Sequence, residues 1–258
     1  MNIVINGIAG KMGQRILHCS KDFPVNIIGG VDLKENLEKI ENNNLIFTDN
    51  IRDFSGKCDV IIDFSSPKAL DNLLQFAVSE KIKLVIGTTG YSEKEIEKIK
   101  KSSEKIPILF SPNMSIGVNF IFHILPTFVK ILKEWDIEIL ELHHNQKKDA
   151  PSGTAKKILE IIKNNLSYSP YLTYGREGNT GKRKKEEIGC FAIRGGDIVG
   201  EHTIYFITEG ERIELTHKAS SRDTFARGAL KGALFLKDKS SGLFNTLDMI
   251  KEIMEKNK

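Results

Sequence analysis

From residue 2 to residue 111 the chain alternates short, continuous apolar runs with segments of helical spacing, and this alternation constrains the fold more than any other feature. The runs NIVIN (2–6), VNIIGGVD (25–32), DVIIDFS (59–65), KLVIG (83–87) and PILFS (107–111) do not alternate apolar with polar residues. A strand with one wet face would alternate, so these strands are expected to be buried on both faces. Between them, residues 14–21 place Ile16 and Leu17 at helical spacing, and residues 67–79 align Leu70, Leu73, Leu74 and Ala77 on one face. Ser92 and Glu95 have the spacing of a capping box and open a charged helix that runs to about Lys101. Strands and helices in turn, with the strands covered on both sides, make an α/β domain on a doubly wound parallel sheet of Rossmann-like type. The Asn-rich stretch from 33 to 58 carries no clear element.

The pattern then changes. From Ile188 the strand-like runs IGCFAIR, HTIYFIT and RIELTHKA follow one another across turns, without helices between them. That arrangement predicts a second, α+β domain built on an open mixed sheet. After Arg222 the helical pattern returns, with Phe225, Ala229, Ala233 and Leu236 on one face. A chain of 258 residues is long for one core, so two domains are expected.

Charge and composition exclude several classes of partner. The net charge is +4, from 38 basic and 34 acidic side chains that are interspersed, which favours small acidic ligands over nucleic acid. The most basic run, KRKK at 182–185, reads as an exposed loop. Three scattered cysteines, Cys19, Cys58 and Cys190, form no Cys-x-x-Cys pair and point to a reduced, cytoplasmic setting. The N-terminal run has no basic region before it and enters a glycine turn, so it reads as a strand and not a signal peptide. The longest apolar stretch, 118–132, contains His123, Pro126 and Lys130 and is too short for a membrane span.

Gly7, Gly10 and Gly13 follow a strand and open a helix, which lets backbone approach a pyrophosphate closely at the helix N-terminus. Ala9 stands where the usual fingerprint has its second glycine. Asp32 ends the next strand, where an acidic side chain accepts hydrogen bonds from an adenine-ribose diol. Two further loops, GTTGYS from Gly87 and SPNMSIG from Ser111, leave strand C-termini on the rim where ligands of such sheets bind.

The stretch ELHHNQKKDAPSGTA (141–155) places two histidines and two lysines directly before a helix start. The preceding run WDIEILEL (135–142) reads as a strand; adjacent strand side chains point to opposite faces, so His143 and His144 would serve one ion together only if the strand had already ended, and no metal is expected. A histidine near its reference pKa of about 6.5 delivers a proton at neutral pH, and Lys147 adds a cation and a second donor. Ser152, Gly153 and Thr154 offer N–H groups and hydroxyls to a carboxylate. A helix cap alone would explain Ser152 but not the density of cations.

The pattern E-x-H-H-x-x-K-x-D-x-P-S-G-T-A resembles the signature of the dihydrodipicolinate reductase (4-hydroxy-tetrahydrodipicolinate reductase) family. NGIAGKMG, VIGTTGYS, SPNMSIGVN, RGGDIVGEHT, LTHKASSR and SGLF stand in the family's order, so the resemblance spans nearly the whole chain. It implies reduction of a cyclic dicarboxylate, 4-hydroxy-tetrahydrodipicolinate, by NADH or NADPH in diaminopimelate and lysine biosynthesis. It further implies that His143 is the proton donor or acceptor, that Lys147 is the second proton donor, and that His144, Gly153 and Thr154 hold substrate carboxylates. The cofactor is expected along Gly7, Ile8, Ala9, Gly10, Lys11 and Met12, at Asp32, at Gly87, Thr88 and Thr89, and at Ser111, Pro112, Asn113 and Met114. The implied organisation is a dinucleotide-binding domain over 1–114, a substrate-binding and oligomerisation domain over 115–221, and a helical return to the first domain over 222–258. A homotetramer assembled through the second-domain sheets is also implied.

One departure stands out. Many relatives have a basic residue directly after the acidic ribose ligand, whereas this chain has Leu33 and then Lys34. NADH is therefore expected to be preferred modestly, with NADPH still used. Two rival readings fit less well: a cysteine-dependent dehydrogenase needs a thiol beside a histidine at a strand end, and a dinucleotide sensor has no use for the His-His-Lys cluster.

Overall fold

A computed structural model of the chain describes residues 1–38, 40 and 45–256. It divides into two compact units, one of residues 1–116 with 222–258 and the other of residues 117–221.

The first unit opens with β1 (Asn2–Asn6), α1 (Lys11–Cys19), β2 (Asn26–Val31), the short α2 (Lys34–Leu37), β3 (Ile46–Thr48) and β4 (Val60–Asp63). It continues through α3 (Leu70–Glu80), β5 (Lys83–Ile86), α4 (Glu93–Ser103) and β6 (Pro107–Phe110). The chain then forms α5 (Ile116–Ile131), β7 (Asp136–His143), α6 (Gly153–Asn165), β8 (Tyr171–Thr173), β9 (Glu187–Arg194), β10 (Gly200–Thr208) and β11 (Glu211–Ala219). It returns to the first unit with α7 (Asp223–Phe235), β12 (Gly242–Phe244) and α8 (Thr246–Lys256).

The seven-stranded sheet has the order β12-β6-β5-β4-β1-β2-β3, with every pair parallel. Successive residues face opposite sides, and both sides are covered. Ile3 and Ile5 of β1, Ile62, Val85 and Leu109 pack with Ile16 of α1 and with Ala226, Ala229, Leu230 and Ala233 of α7. Val4, Ile61, Leu84, Ile86 and Ile108 pack on the other side with Leu70, Leu73, Leu74 and Ala77 of α3 and Ile99 of α4. This two-sided burial is why the strands read as unbroken apolar runs. Ser92 caps α4 in a capping box with Glu95, as their spacing predicts. The small residues of α7 permit close approach: a Cβ at Gly228 would stand 1.8 Å from the Met114 carbonyl oxygen.

The sequence reading lacks three strands, β3 and β12 at the edges of this sheet and β8 at an edge of the second unit's sheet, each of three residues. Short edge strands bury too little to leave a periodic signal. Part of the Asn-rich stretch, residues 39 and 41–44, lies outside the described residues.

The five-stranded sheet of the second unit has the order β11-β10-β7-β9-β8. β10 is antiparallel to β7 and β11, while β9 is parallel to β7 and β8, so the sheet is mixed. On β7, Ile137, Ile139, Glu141 and His143 alternate onto the buried face. Phe128 of α5 meets Phe206 of β10 at 6.0 Å between ring centroids. On the sheet's other face, Arg176 and Arg183 pair with Glu138, and Arg183 also with Asp136. The basic run at 182–185 is thus tied back to the sheet, with Lys185 on Glu134. Among the described residues no helix is long and apolar enough to cross a membrane.

Candidate active site

The glycine turn after β1 depends on missing side chains. Gly7 has φ +84°, and a Cβ there would stand 2.5 Å from the Phe64 carbonyl oxygen. A Cβ at Gly13 would stand 2.2 Å from the Gly7 carbonyl oxygen, so that glycine lets α1 dock on the turn. Gly10 caps α1, and its N–H donates to the Gly7 carbonyl. Asp32 binds the turn directly: Oδ2 accepts from the Ala9 N–H at 2.9 Å, and Oδ1 accepts from the Leu33 N–H and Asn36 Nδ2, both at 2.8 Å. Gly7, Ala9, Gly10, Asp32, Leu33 and Asn36 line a cleft of about 580 Å³ together with Lys68. Backbone without side chains, an open helix start and an oriented acid fit the pyrophosphate and adenosine of a dinucleotide. Ile8 contributes no side chain to the cleft: it is fully buried, its N–H donates to Val31 and its carbonyl accepts from Gln14. Lys11 is exposed at the helix start.

At the next strand ends Asp63 is a buried hub, 1% exposed. Its oxygens accept from Asn6 Nδ2 at 2.7 Å, Ser65 Oγ at 2.6 Å, Thr88 Oγ1 at 2.7 Å and Tyr91 at 3.4 Å. Burial pushes its carboxyl up from the ordinary range, against the hydrogen bonds from Ser65, Thr88 and Asn6. One acid therefore ties the end of β1 to the loops leaving β4 and β5. Thr88 is buried by this bond, whereas Thr89 is exposed. Ser111 donates to the Asn113 carbonyl at 2.8 Å, which shapes the loop after β6. Met12, Gly87, Pro112, Asn113 and Met114 line a second recess with Phe64, Arg222 and Phe225. Arg222, in LTHKASSR, and Asp63, in DVIIDFS, carry no site role in the sequence reading, and Asn36 is absent from it, because no local pattern marks their contacts.

In the second unit His143 closes β7 at 9% exposure. Its Nδ1 is hydrogen-bonded to Glu141, two residues back on the same face and fully buried. Glu141 Oε1 accepts from Arg194 Nη2 at 2.7 Å and from the Ser152 N–H at 3.1 Å, while Oε2 accepts from Arg194 Nη1 at 3.0 Å. Burial pushes the Glu141 carboxyl up, but the bonds from His143 and Arg194 outweigh it and hold the group at about 2. His202 lies edge-on to His143 with ring centroids 5.2 Å apart, and its Nε2 meets Ser152 Oγ at 3.0 Å. Burial, reinforced by the charge of His143, lowers His202 to about 4, so it is neutral at pH 7.

His144 lies past the strand, and its carbonyl accepts from the Lys147 N–H at 3.1 Å. Lys147 Nζ pairs with Asp149 at 2.8 Å. Ser152 caps α6 through the Ala155 N–H, Gly153 has open space where a Cβ would stand, and Thr154 follows half-buried. Ligand atoms of Glu141, His143 and His202 lie within 4.8 Å of one another, a possible metal triad. Arg194 already occupies both Glu141 oxygens, and its fixed charge opposes a divalent ion there. Glu141 and His143 share a hydrogen bond and His202 spends Nε2 on Ser152, while His202 Nδ1 is buried without a partner among the described residues. Burial pushes the thiols of Cys58 and Cys190 up to about 11, which leaves both unsuited to nucleophilic work.

Known proteins share both the sequence and the fold of this chain. The N-terminal dihydrodipicolinate reductase family profile matches residues 1–114, and the C-terminal profile matches residues 117–250. The chain is 47% identical over 249 residues to the 4-hydroxy-tetrahydrodipicolinate reductase of Clostridium tetani, covering 95% of each chain. It is 44% identical to that of Aquifex aeolicus, covering 97% of this chain and 98% of the relative. A solved structure described as a dipicolinate-bound dihydrodipicolinate reductase from Paenisporosarcina sp. TG-14 has the same fold, with a TM-score of 0.80 at 23% identity over 97% of this chain and 99% of that one. The chain belongs to the dihydrodipicolinate reductase family.

Proposed function

We propose that the chain reduces 4-hydroxy-tetrahydrodipicolinate to tetrahydrodipicolinate with NADH or NADPH, in the diaminopimelate and lysine pathway of the cytoplasm. The 4-hydroxyl and a proton from the neighbouring ring carbon leave as water, and one hydride at C4 and one proton at that neighbouring carbon then saturate the double bond. A bound reduced nicotinamide supplies the hydride, to ring C4. The observation that carries the reading is His143, a nearly buried imidazole with its Nδ1 held by Glu141, next to a cationic loop and the open start of α6.

The chain's own residues divide the remaining work. His143 gives the proton that quenches negative charge on the ring, and Lys147 assists departure of the hydroxyl. His144, Gly153 and Thr154 hold the carboxylates, with N–H groups at the start of α6 as donors. Gly7, Gly10, Lys11 and Met12 bind the pyrophosphate and Asp32 the adenine ribose, while Gly87, Thr88, Thr89 and the loop from Ser111 to Met114 take the nicotinamide half. Assembly into a homotetramer through the open face of the five-stranded sheet accompanies this reading; Leu140, Phe191, Tyr205 and Ile207 give that face an apolar surface. Reduction with NADH deuterated at the transferred position tests the chemistry: label at ring C4 of the product supports it, and label elsewhere refutes it.

A planar dicarboxylate such as pyridine-2,6-dicarboxylate is expected to compete with substrate. Its inhibition should weaken more in Lys147→Ala, which deletes a charge, than in Thr154→Val, which deletes a hydroxyl. Inhibition constants measured for both variants decide this, and the reverse order would move the carboxylates elsewhere.

The cofactor preference follows from the Asp32 carboxylate. It repels a 2′-phosphate by about 1 kcal/mol per unit charge at 4 Å in water, and more in a partly closed cleft. Leu33 is 63% exposed and offers no compensating charge, while Lys11, Lys34 and Lys68 are exposed lysines near the cleft. NADH is expected to be preferred modestly, and Leu33→Arg to shift the ratio of kcat/KM values toward NADPH. A strong NADPH preference in the unaltered protein would show that Asp32 does not dominate.

A further inference from the structure

We propose that Glu141, braced by Arg194, is a positioning residue that fixes the His143 ring as its Nδ1–H tautomer and leaves Nε2 as the proton-transferring atom. The inference rests on the reading of His143 as proton donor. Its basis is the order of bonds around one buried carboxylate.

The period of two along β7 sets Glu141 and His143 on the same buried face, and the parallel register of β7 with β9 sets Arg194 opposite His143. Glu141 has no exposed surface, so its charge is compensated by protein alone. Arg194 grips both oxygens, and the Ser152 N–H adds a third donor bond. A carboxylate so engaged accepts and does not donate. The His143 nitrogen facing it therefore carries the hydrogen. Without Arg194, a carboxylate beside an imidazolium would compete for the proton; the guanidinium keeps the carboxylate ionised and the proton on the ring.

The other ring nitrogen is not engaged. His143 Nε2 has no hydrogen-bond partner among the described residues, and a Cβ at Gly200 would stand 3.0 Å from it. His202 meets the ring by its edge and spends its own Nε2 on Ser152. Arg194 also donates to the Asp149 carbonyl at 2.9 Å, and Asp149 carries Lys147, so one guanidinium braces both the histidine and the lysine loop. A pair that served stability alone would need Glu141 and Arg194 but no bond to the imidazole.

Nitrogen-15 spectra of the histidine rings, with His143 assigned by its loss in His143→Gln, test this directly. In the unaltered protein the neutral ring is expected to show a protonated Nδ1 and a bare Nε2. In Glu141→Gln it should sample both tautomers, with kcat lowered about 10²-fold and the KM values for substrate and NADH little changed. A bare Nδ1 in the unaltered protein would overturn the proposal, and that result does not depend on any variant folding. A Glu141→Gln variant with lower thermal stability but unchanged tautomer and kcat would overturn it too. Full turnover in His143→Gln, with the tautomer still fixed in the unaltered protein, would instead refute the proton-donor reading on which the proposal stands.

Discussion

Replacing His143 with Gln is expected to lower kcat by about 10²- to 10⁴-fold, the usual cost of a lost general acid, and to leave NADH affinity nearly unchanged. Gln is close to His in size and can still donate an amide hydrogen to Glu141, so the buried carboxylate keeps a partner. What Gln cannot do is release a proton near neutral pH. The dinucleotide cleft is built wholly from residues of the first unit, which is why cofactor binding should survive. Steady-state kcat alongside NADH titration by fluorescence separates the two effects, and an unchanged kcat would remove His143 from the mechanism.

The second large effect concerns acid stability. The folded Glu141 carboxyl lies at about 2 against an ordinary 4.5, so the folded state binds its proton less readily than the unfolded chain does. Its contribution is fully present above the unfolded value and is lost as pH falls from 4.5 through 2, a loss of about 3 kcal/mol for this group. His202 acts in the same direction at higher pH: lowered from 6.5 to about 4, it resists protonation in the folded state and costs stability as pH falls across that window. Urea unfolding at pH 7 and at pH 3 should show a smaller difference in Glu141→Gln than in the unaltered protein. Equal differences would mean that Glu141 is not depressed in the folded state.

Much of the fold is legible in the residues because it rests on local rules. The apolar runs at 2–6, 59–65 and 83–87 carry no alternation since helices cover both faces of the sheet, and the capping box at Ser92 and Glu95 announces its helix. The glycine turn and Asp32 are legible for the same reason, each being a short motif with a mechanism. Glu141 and Arg194 are different. They stand 53 positions apart, and only the pairing of β7 with β9 brings the guanidinium onto the carboxylate. His202 stands in RGGDIVGEHT and Asp63 in DVIIDFS, but only the folded sheets show that His202 meets Ser152 and that Asp63 gathers donors from the ends of β1, β4 and β5. β3, β8 and β12 escape because three residues at an edge are too few to show a period.

The most direct measurement of the central claim is NADH absorbance after mixing the purified protein with NADH and the aldol product of pyruvate and aspartate semialdehyde. The account predicts rapid loss of absorbance that depends on that product, is suppressed by pyridine-2,6-dicarboxylate, and nearly vanishes in His143→Gln. Steady absorbance with a correctly folded protein that still binds NADH would contradict it.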